Sequence, residues 1–295
     1  MLLVGGTGEL GRRIARRLSA RKSPFRALVR TGTDATELEA LGAVRMAGDL
    51  RDRESLERAL QDVDVAITTV TAIGRALAGE RRATIRDVDL HGNANLIDAA
   101  EAAGVARFVF VSFVIGPDLA GAPLAEAKRA TEQRLARSRM TGVVVRPEMF
   151  QEVWISERVG FDWRAGKVQI FGRGNAPHAY VATDDVAEAT VRLALDYTDA
   201  RDVAFGGPEA LTRRQVVERF QRAGHPISAR HVPRSVMRAG SIALRRIRPI
   251  QASLMAMALN ADRQTEALSA GPLHDLGIDP RPVGAYIDEL ARGIQ

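Results

Sequence analysis

Over the first two hundred residues, short apolar runs rich in β-branched side chains alternate with longer amphipathic stretches. The pattern predicts strands at Leu2–Val4, Phe25–Val29, Ala43–Met46, Val63–Thr69, Phe108–Ser112 and Gly142–Val145. Between them it predicts helices near Glu9–Arg21, Asp34–Leu41, Ser55–Gln61, Ala83–Ala103 and Ala122–Ser138. Strands separated by helices imply right-handed crossovers and a parallel sheet covered on both faces. The runs VAITTV and FVFVSF lack polar alternation, as strands buried on both faces should.

After Arg146 the rhythm changes. Residues 147–180 are rich in Gly, Pro and aromatics and read as an excursion rather than another strand–helix unit. A helix over Thr183–Leu195 is expected to return to the core, and residues 205–295 hold helices punctuated by GGPEAL, GHPIS and LGIDPRP. The expected organisation is a core over 1–146, joined by the helix at 183–196. A smaller lobe over 147–182 and 205–295 would build a substrate pocket and its lid.

The stretch VGGTGELG, residues 4–11, follows the first strand and opens the first helix. A glycine at 5 permits a tight turn, one at 8 lets backbone N–H groups approach a phosphate, and one at 11 allows close helix–strand packing. A diphosphate would sit at the positive end of that helix. The fold expected is therefore a Rossmann doubly wound parallel sheet that binds a dinucleotide, with a C-terminal substrate lobe. The second strand ends in Arg30, where an NAD-selective site would carry an acid for the ribose 2′-hydroxyl. A guanidinium suits a 2′-phosphate instead, with Arg12 placed to assist, so NADP(H) is expected in preference to NAD(H). A solvated strand end is the plainer reading of Arg30.

Composition removes several other classes. The chain has 295 residues, 46% apolar, and no cysteine, which leaves no disulfide framework, thiolate metal site or cysteine nucleophile. Five histidines without ligand spacing give metal binding no support. A pI near 10.3 raises nucleic-acid binding, but the arginines are interleaved with acids and no DNA-reading motif accompanies them. No run is long enough to span a membrane, and no leader is evident, so a cytoplasmic protein is expected. A small-molecule substrate is the expected partner, and the chain leaves room for a homodimer.

The ordered segments GGTGELG, LGAVRMAGDLRD, VDVAITTV, GNANLIDAAEAAGVARFVFVS, AEAKRATEQRL, VVVRPEMFQE and TDDVAEA resemble the atypical short-chain dehydrogenases/reductases. The closest group is the NmrA-like and isoflavone-reductase-like NAD(P)H-binding proteins. The resemblance implies that Gly5, Thr7, Gly8, Glu9, Leu10 and Gly11 line the diphosphate turn and that Arg30 holds the 2′-phosphate. It places Gly48, Asp49 and Leu50 at the adenine, and Thr69, Val70 and Thr71 beside the ribose. Ser112 and Phe113 would lie by the nicotinamide, Lys128 would bond its ribose, and Pro147, Glu148, Met149 and Phe150 would cover its other side. Plainer readings stand beside these. Asp49 could cap the next helix, the threonines could be ordinary strand residues, Pro147 could end its strand, and Ser112 could be a strand-end hydroxyl.

Better-known members of the superfamily pair a tyrosine with a lysine one helical turn later, so that both face the same way. The chain has only three lysines, Lys22, Lys128 and Lys167, and the residue four before Lys128 is Leu124. Leucine has no proton to exchange. Lys128 could itself be the acid or base, its pKa moved by burial. It could alternatively fix only the ribose, with His178 or Tyr180 supplying the proton, or with an acceptor that needs little help. The sequence thus supports an NADP(H)-dependent oxidoreductase acting on a carbonyl, enone or quinone. The alternative is a non-catalytic NADP(H)-binding redox sensor or assembly protein. A surface lysine paired with Glu132 is the plainer reading of Lys128; Asp184 and Asp185 read as helix caps, and His91 as structural.

Overall fold

A computed structural model describes residues 1–80, 82–199 and 201–293. The last two residues of the expected C-terminal lobe lie outside the described residues. The first half of the chain runs β1 (Leu2–Val4), α1 (Glu9–Ala20), β2 (Arg26–Val29), α2 (Thr36–Ala40), β3 (Val44–Ala47), α3 (Arg53–Leu60), β4 (Val65–Thr68) and α4 (Ala72–Leu77). A π-helical segment (Arg86–Gly92) leads into α5 (Asn93–Ala102), followed by β5 (Arg107–Val111), α6 (Pro123–Ala136) and β6 (Thr141–Pro147). Then come α7 (Gln151–Trp154), β7 (Phe161–Asp162), β8 (Lys167–Phe171), β9 (Pro177–Ala179), α8 (Thr183–Leu195) and β10 (Arg201–Phe205). The chain closes with β11 (Ala210–Thr212), α9 (Arg213–Arg222), β12 (Ser228–Val232), α10 (Arg234–Ala243), α11 (Pro249–Arg263), α12 (Gly271–Asp275) and α13 (Val283–Ala291).

Two compact units emerge. The first comprises residues 1–112, 124–146 and 186–203. It is built on a seven-stranded sheet of order β10-β6-β5-β4-β1-β2-β3, whose neighbours from β6 to β3 pair in parallel. The order reverses between β1 and β4, the position at which a doubly wound sheet opens a crevice at its carboxyl ends. Every residue of β5 is buried, Phe108, Val109 and Phe110 completely, because helices cover both faces. The helices turn the expected stripe inward: Gly11, Ile14, Ala15 and Leu18 from α1, and Leu56, Ala59 and Leu60 from α3.

The expected single helix over 83–103 is not what forms. Residues 86–92 widen into π-helical turns before α5 begins at Asn93. The wider turn leaves carbonyls for side chains to satisfy: Asn93 Nδ2 donates to Val88 O (3.4 Å) and Asp89 O (3.2 Å), and Thr131 Oγ1 donates to Asp89 O at 3.1 Å. Helix α4 was not expected, since six residues containing a glycine give no readable periodicity.

The second unit comprises residues 113–123, 147–185 and 204–295, the last two of which are not described. It holds a three-stranded sheet, β12-β8-β7, and the pair β11-β9. Its core gathers Phe161, Trp163, Tyr180, Phe220, Val283, Tyr286 and Ile287, with Trp163 stacked on Phe220 at 5.2 Å between ring centroids. Helix α9 starts in a reciprocal cap: Thr212 Oγ1 accepts the Gln215 N–H, and the Gln215 side chain accepts the Thr212 N–H. The excursion at 147–180 is thereby explained, because its aromatics and small strands supply one wall of this core. Phe220 is fully buried among aromatic rings, so Phe220→Ala is expected to destabilise this unit by about 3–5 kcal/mol. Both tryptophans, Trp154 and Trp163, lie in it, so a urea transition followed by tryptophan fluorescence reads the change directly. A shift below about 1 kcal/mol would remove Phe220 from the centre of this core.

Candidate functional site

The site begins where β1 hands over to α1. Gly5 has φ +89°, in the left-handed region, and a side chain there would run into Thr69 Oγ1 at 2.6 Å. A Cβ at Gly11 would fall 2.0 Å from the Gly5 carbonyl oxygen, so only glycine lets α1 start this close to the strand. The Gly5 carbonyl accepts the Gly8 N–H at 3.0 Å, which closes the turn. Gly8, the N-cap of α1, supplies no side-chain cap. The first N–H groups of α1 thus keep their capacity for an anion. Gly8 and Glu9 are exposed, while Thr7 and Leu10 are half-buried. Thr69 continues from β4 at the sheet's switch point, its N–H donating to Val4 O at 3.1 Å. Val70 is buried, and Thr71 is the N-cap residue of α4.

Beyond β2 and β3 lies a cavity of about 570 Å³, lined by residues 30–33, 47–49, 51, 52 and 58, among them Arg30, Arg51, Arg58, Thr31 and Thr33. Arg30 is held end-on by Glu80, Nη1 and Nη2 each 2.8 Å from a carboxylate oxygen. The hydrogen bond from Arg30 keeps Glu80 well below the usual carboxylate pKa. An arginine has five N–H donors, so this pair leaves part of the guanidinium available. Asp49 binds Arg51 through its N–H and Nε, both at 2.9 Å, which lowers the Asp49 pKa. It does not cap α3; Asp52 does, accepting the Ser55 N–H. Leu50 is buried with its carbonyl held by Asn95 Nδ2 at 3.0 Å. Its side chain touches the space a Gly92 side chain would need.

A third cluster surrounds Lys128, which is buried rather than on the surface. Its Nζ donates to Val111 O at 3.0 Å and lies 4.5 Å from the centroid of the Phe110 ring. Burial pushes its pKa below the ordinary lysine value, opposed by the charges of Asp89 and Glu132. Asp89, on the π-helical segment, is completely buried, and burial raises its pKa against the pull of Lys128. Its Oδ2 accepts the Ala72 N–H at 2.9 Å, holding the start of α4, while Oδ1 has no hydrogen-bond partner among the described residues. Glu132 does not pair with Lys128 along the helix. It accepts Ser112 Oγ at 2.5 Å and Arg146 Nη2 at 2.7 Å. Leu124 is buried on the same helix.

Of the remaining predicted residues, all but His91 fall in the second unit. Phe113, Met149 and Phe150 are half-buried and Pro147 is buried at the end of β6. The Glu148 side chain is 6% exposed and fully engaged: it accepts Gln264 Nε2 (2.7 Å) and the Leu268 N–H (2.8 Å) and faces His178 Nδ1 at 3.3 Å. His178 is as buried as its partner. Tyr180 lies within the aromatic core at 1% exposure, where burial raises its phenol pKa. Asp184 and Asp185 sit in the first turn of α8. His91 meets Arg86 Nε at 3.2 Å on the π-helical segment.

Sequence reasoning missed Asp89, Glu80, Arg51, Arg58 and Arg146. Asp89 shares its stretch with Asp87, and nothing local singles it out; Glu80 lies fifty residues from its partner. Among the described residues no group of three histidines or acids could hold a metal, and no helix is long and apolar enough to cross a membrane.

The glycine cradle and uncapped helix fit a dinucleotide diphosphate, and comparisons with known proteins point to NAD(P)H binding. A family model described as NAD(P)H-binding matches residues 5–197. The photosystem II assembly factor Ycf39 of Synechocystis sp. is 31% identical over 246 residues, covering 81% of this chain and 72% of that protein. The NAD(P)H azoreductase of Xenophilus azovorans is 29% identical over 230 residues, 77% of this chain and 75% of that one. In fold, the chain matches the NADPH-dependent quinone oxidoreductase QOR2 of Escherichia coli in complex with NADPH. The TM-score is 0.76 at 20% identity, over 98% of this chain and 99% of that one. The chain belongs to the NAD(P)H-binding family, whose model spans residues 5–197.

Proposed function

We propose that the protein is an NADP(H)-dependent oxidoreductase that reduces a carbonyl, an enone or a quinone. The observation that carries the cofactor choice is the cavity past β2 and β3, where Arg30, Arg51 and Arg58 gather positive charge at the place a 2′-phosphate requires. The names of an NAD(P)H azoreductase relative and of a quinone oxidoreductase with the same fold support the reaction class.

NADP(H), when bound, supplies a hydride. The chain's own residues do the rest. The N–H groups at the start of α1 hold the diphosphate, and Arg30 holds the 2′-phosphate with the donors that Glu80 leaves. Thr69, Val70 and Thr71 line the ribose, and Asp49 and Leu50 flank the adenine. Ser112 lies at the nicotinamide end. Lys128 keeps a proton at Nζ, on an amine that burial makes more acidic than a free lysine. Ser112, fixed by Glu132, orients the acceptor.

A second reading rests on a specific observation. Leu124 stands where a catalytic tyrosine would stand, and the Ycf39 relative is named an assembly factor. A protein that binds NADP(H) and signals its redox state to a partner fits both facts. Mixing the protein with NADPH and a panel of quinones, enones and aldehydes, and following cofactor absorbance, separates the two. Tight binding with no turnover of any acceptor would favour the sensor.

Arg30→Ala is expected to weaken NADPH by about ten- to a hundredfold, the worth of a charge-assisted hydrogen-bonded pair, and to leave NADH almost untouched. Calorimetric titration with both cofactors reads this, and equal losses would sink the 2′-phosphate assignment. Glu80→Gln removes a negative charge beside the same phosphate, so NADPH should bind several-fold tighter.

Lys128→Ala should abolish turnover while the protein still binds NADPH. Asp89→Asn takes away a charge that raises the Lys128 pKa. The alkaline limb of the rate profile should therefore move to lower pH, and an unmoved limb would separate Asp89 from the proton chemistry.

A further inference from the structure

From Arg219 to Ala261 the chain carries eight arginines and no aspartate or glutamate. Two of the eight are neutralised at a distance in sequence, Arg219 by Glu209 and Asp288, and Arg234 by Asp262. None of the described carboxylates pairs with Arg238, Arg245, Arg246 or Arg248. All four are exposed and lie on α10 or in the turn that joins it to α11.

The same surface carries apolar side chains with no cover. Val236 is 50% exposed, Ile242 59% and Ile247 79%. On α10, Ala239 and Ala243 are exposed beside Val236 and Ile242, and Ile247 stands in the turn that follows. Other positions of α10 are occupied by its own core. Met237 is buried against Ala258 and Leu259, and a side chain at Gly240 would strike Met255 Sδ at 2.1 Å. The outward face therefore has no packing role, yet it places an aliphatic stripe between unpaired cations.

We propose that this face docks on an anionic lipid surface, lying parallel to the bilayer. Aliphatic side chains reach the acyl boundary while arginines extend to the phosphates around them, an arrangement that needs both chemistries in one plane. A second copy of the chain is a poor occupant, because a twofold interface would set arginines against arginines. Nucleic acid would satisfy the cations but offers nothing to the isoleucines, and no aromatic ring stands on the face to stack with bases.

The test is sedimentation of the full chain with phosphatidylcholine vesicles, with and without one part in three of phosphatidylglycerol. A chain of formal charge +6 adheres to some extent to any anionic surface, so the decisive variant preserves charge. Ile242→Ser with Ile247→Ser should lower partitioning onto anionic vesicles about tenfold or more. Arg245→Gln with Arg246→Gln should lower it by a similar factor, at roughly fivefold per cation. Val44→Ser, which removes an aliphatic equally exposed in the other unit, should change nothing. Neutral vesicles should capture little protein. Failure to sediment with anionic vesicles would overturn the proposal, as would an isoleucine variant that binds as well as the wild type. A duplex oligonucleotide that displaces the vesicles and loses affinity with the arginine pair alone would give the face to nucleic acid instead.

Discussion

A lysine at 4% exposure, on a helix that packs against a parallel sheet, is the constraint around which the first unit is arranged. Removing an ammonium from water is costly by several kcal/mol unless charge and hydrogen bonds compensate. The compensation comes from three directions. Val111 offers a backbone carbonyl at the end of β5, the Phe110 ring offers its face, and Asp89 and Glu132 offer negative charge. Asp89 comes from the π-helical segment, whose freed carbonyls are satisfied by Asn93 and Thr131. The irregular helix is thus tied to the same cluster as the lysine. The whole arrangement is intelligible as a way of holding one titratable nitrogen near the strand ends.

The strand–helix alternation was legible because doubly covered strands read as unbroken apolar runs, and β5 is such a strand. The glycine turn was legible because Gly5 and Gly11 answer to local sterics, which sequence spacing encodes. What stayed hidden depends on partners far along the chain. Nothing near Lys128 in sequence announces Asp89, and Glu132, four residues on, turns instead to Ser112 and Arg146. Asp49 was open to a capping role because it precedes a helix, but Asp52 is closer to its start and takes it. His178 and Tyr180 looked available in a Gly/Pro-rich loop, while the fold buries both. The loop's polarity gave no sign that its aromatics were core.

The preference for arginine also acquires a physical account. Arg107, buried, donates to the carbonyls of Leu193 and Asp199, closing the end of α8. Arg213, also buried, donates to Gln169 O and Trp154 O and lies over the rings of Phe161 and Phe171. Such sites need a planar group with several donors that keeps its charge when buried, which lysine does not provide. Of the three lysines, Lys22 and Lys167 are exposed and only Lys128 is buried.

Leu124 stands one turn before that lysine. A tyrosine one turn before a lysine supplies a hydroxyl that can hydrogen-bond and help solvate the ammonium. Leucine at that position withdraws the hydroxyl and adds apolar surface on the same side of α6. Burial is the largest cause of the lowered Lys128 pKa, and a leucine brings no polar group to offset it. Under the oxidoreductase reading proposed above, that leaves Lys128 as the proton donor on this helix. In the proposed reduction of an acceptor that needs little protonation, a buried lysine beside a leucine is sufficient, because the hydride carries most of the chemistry.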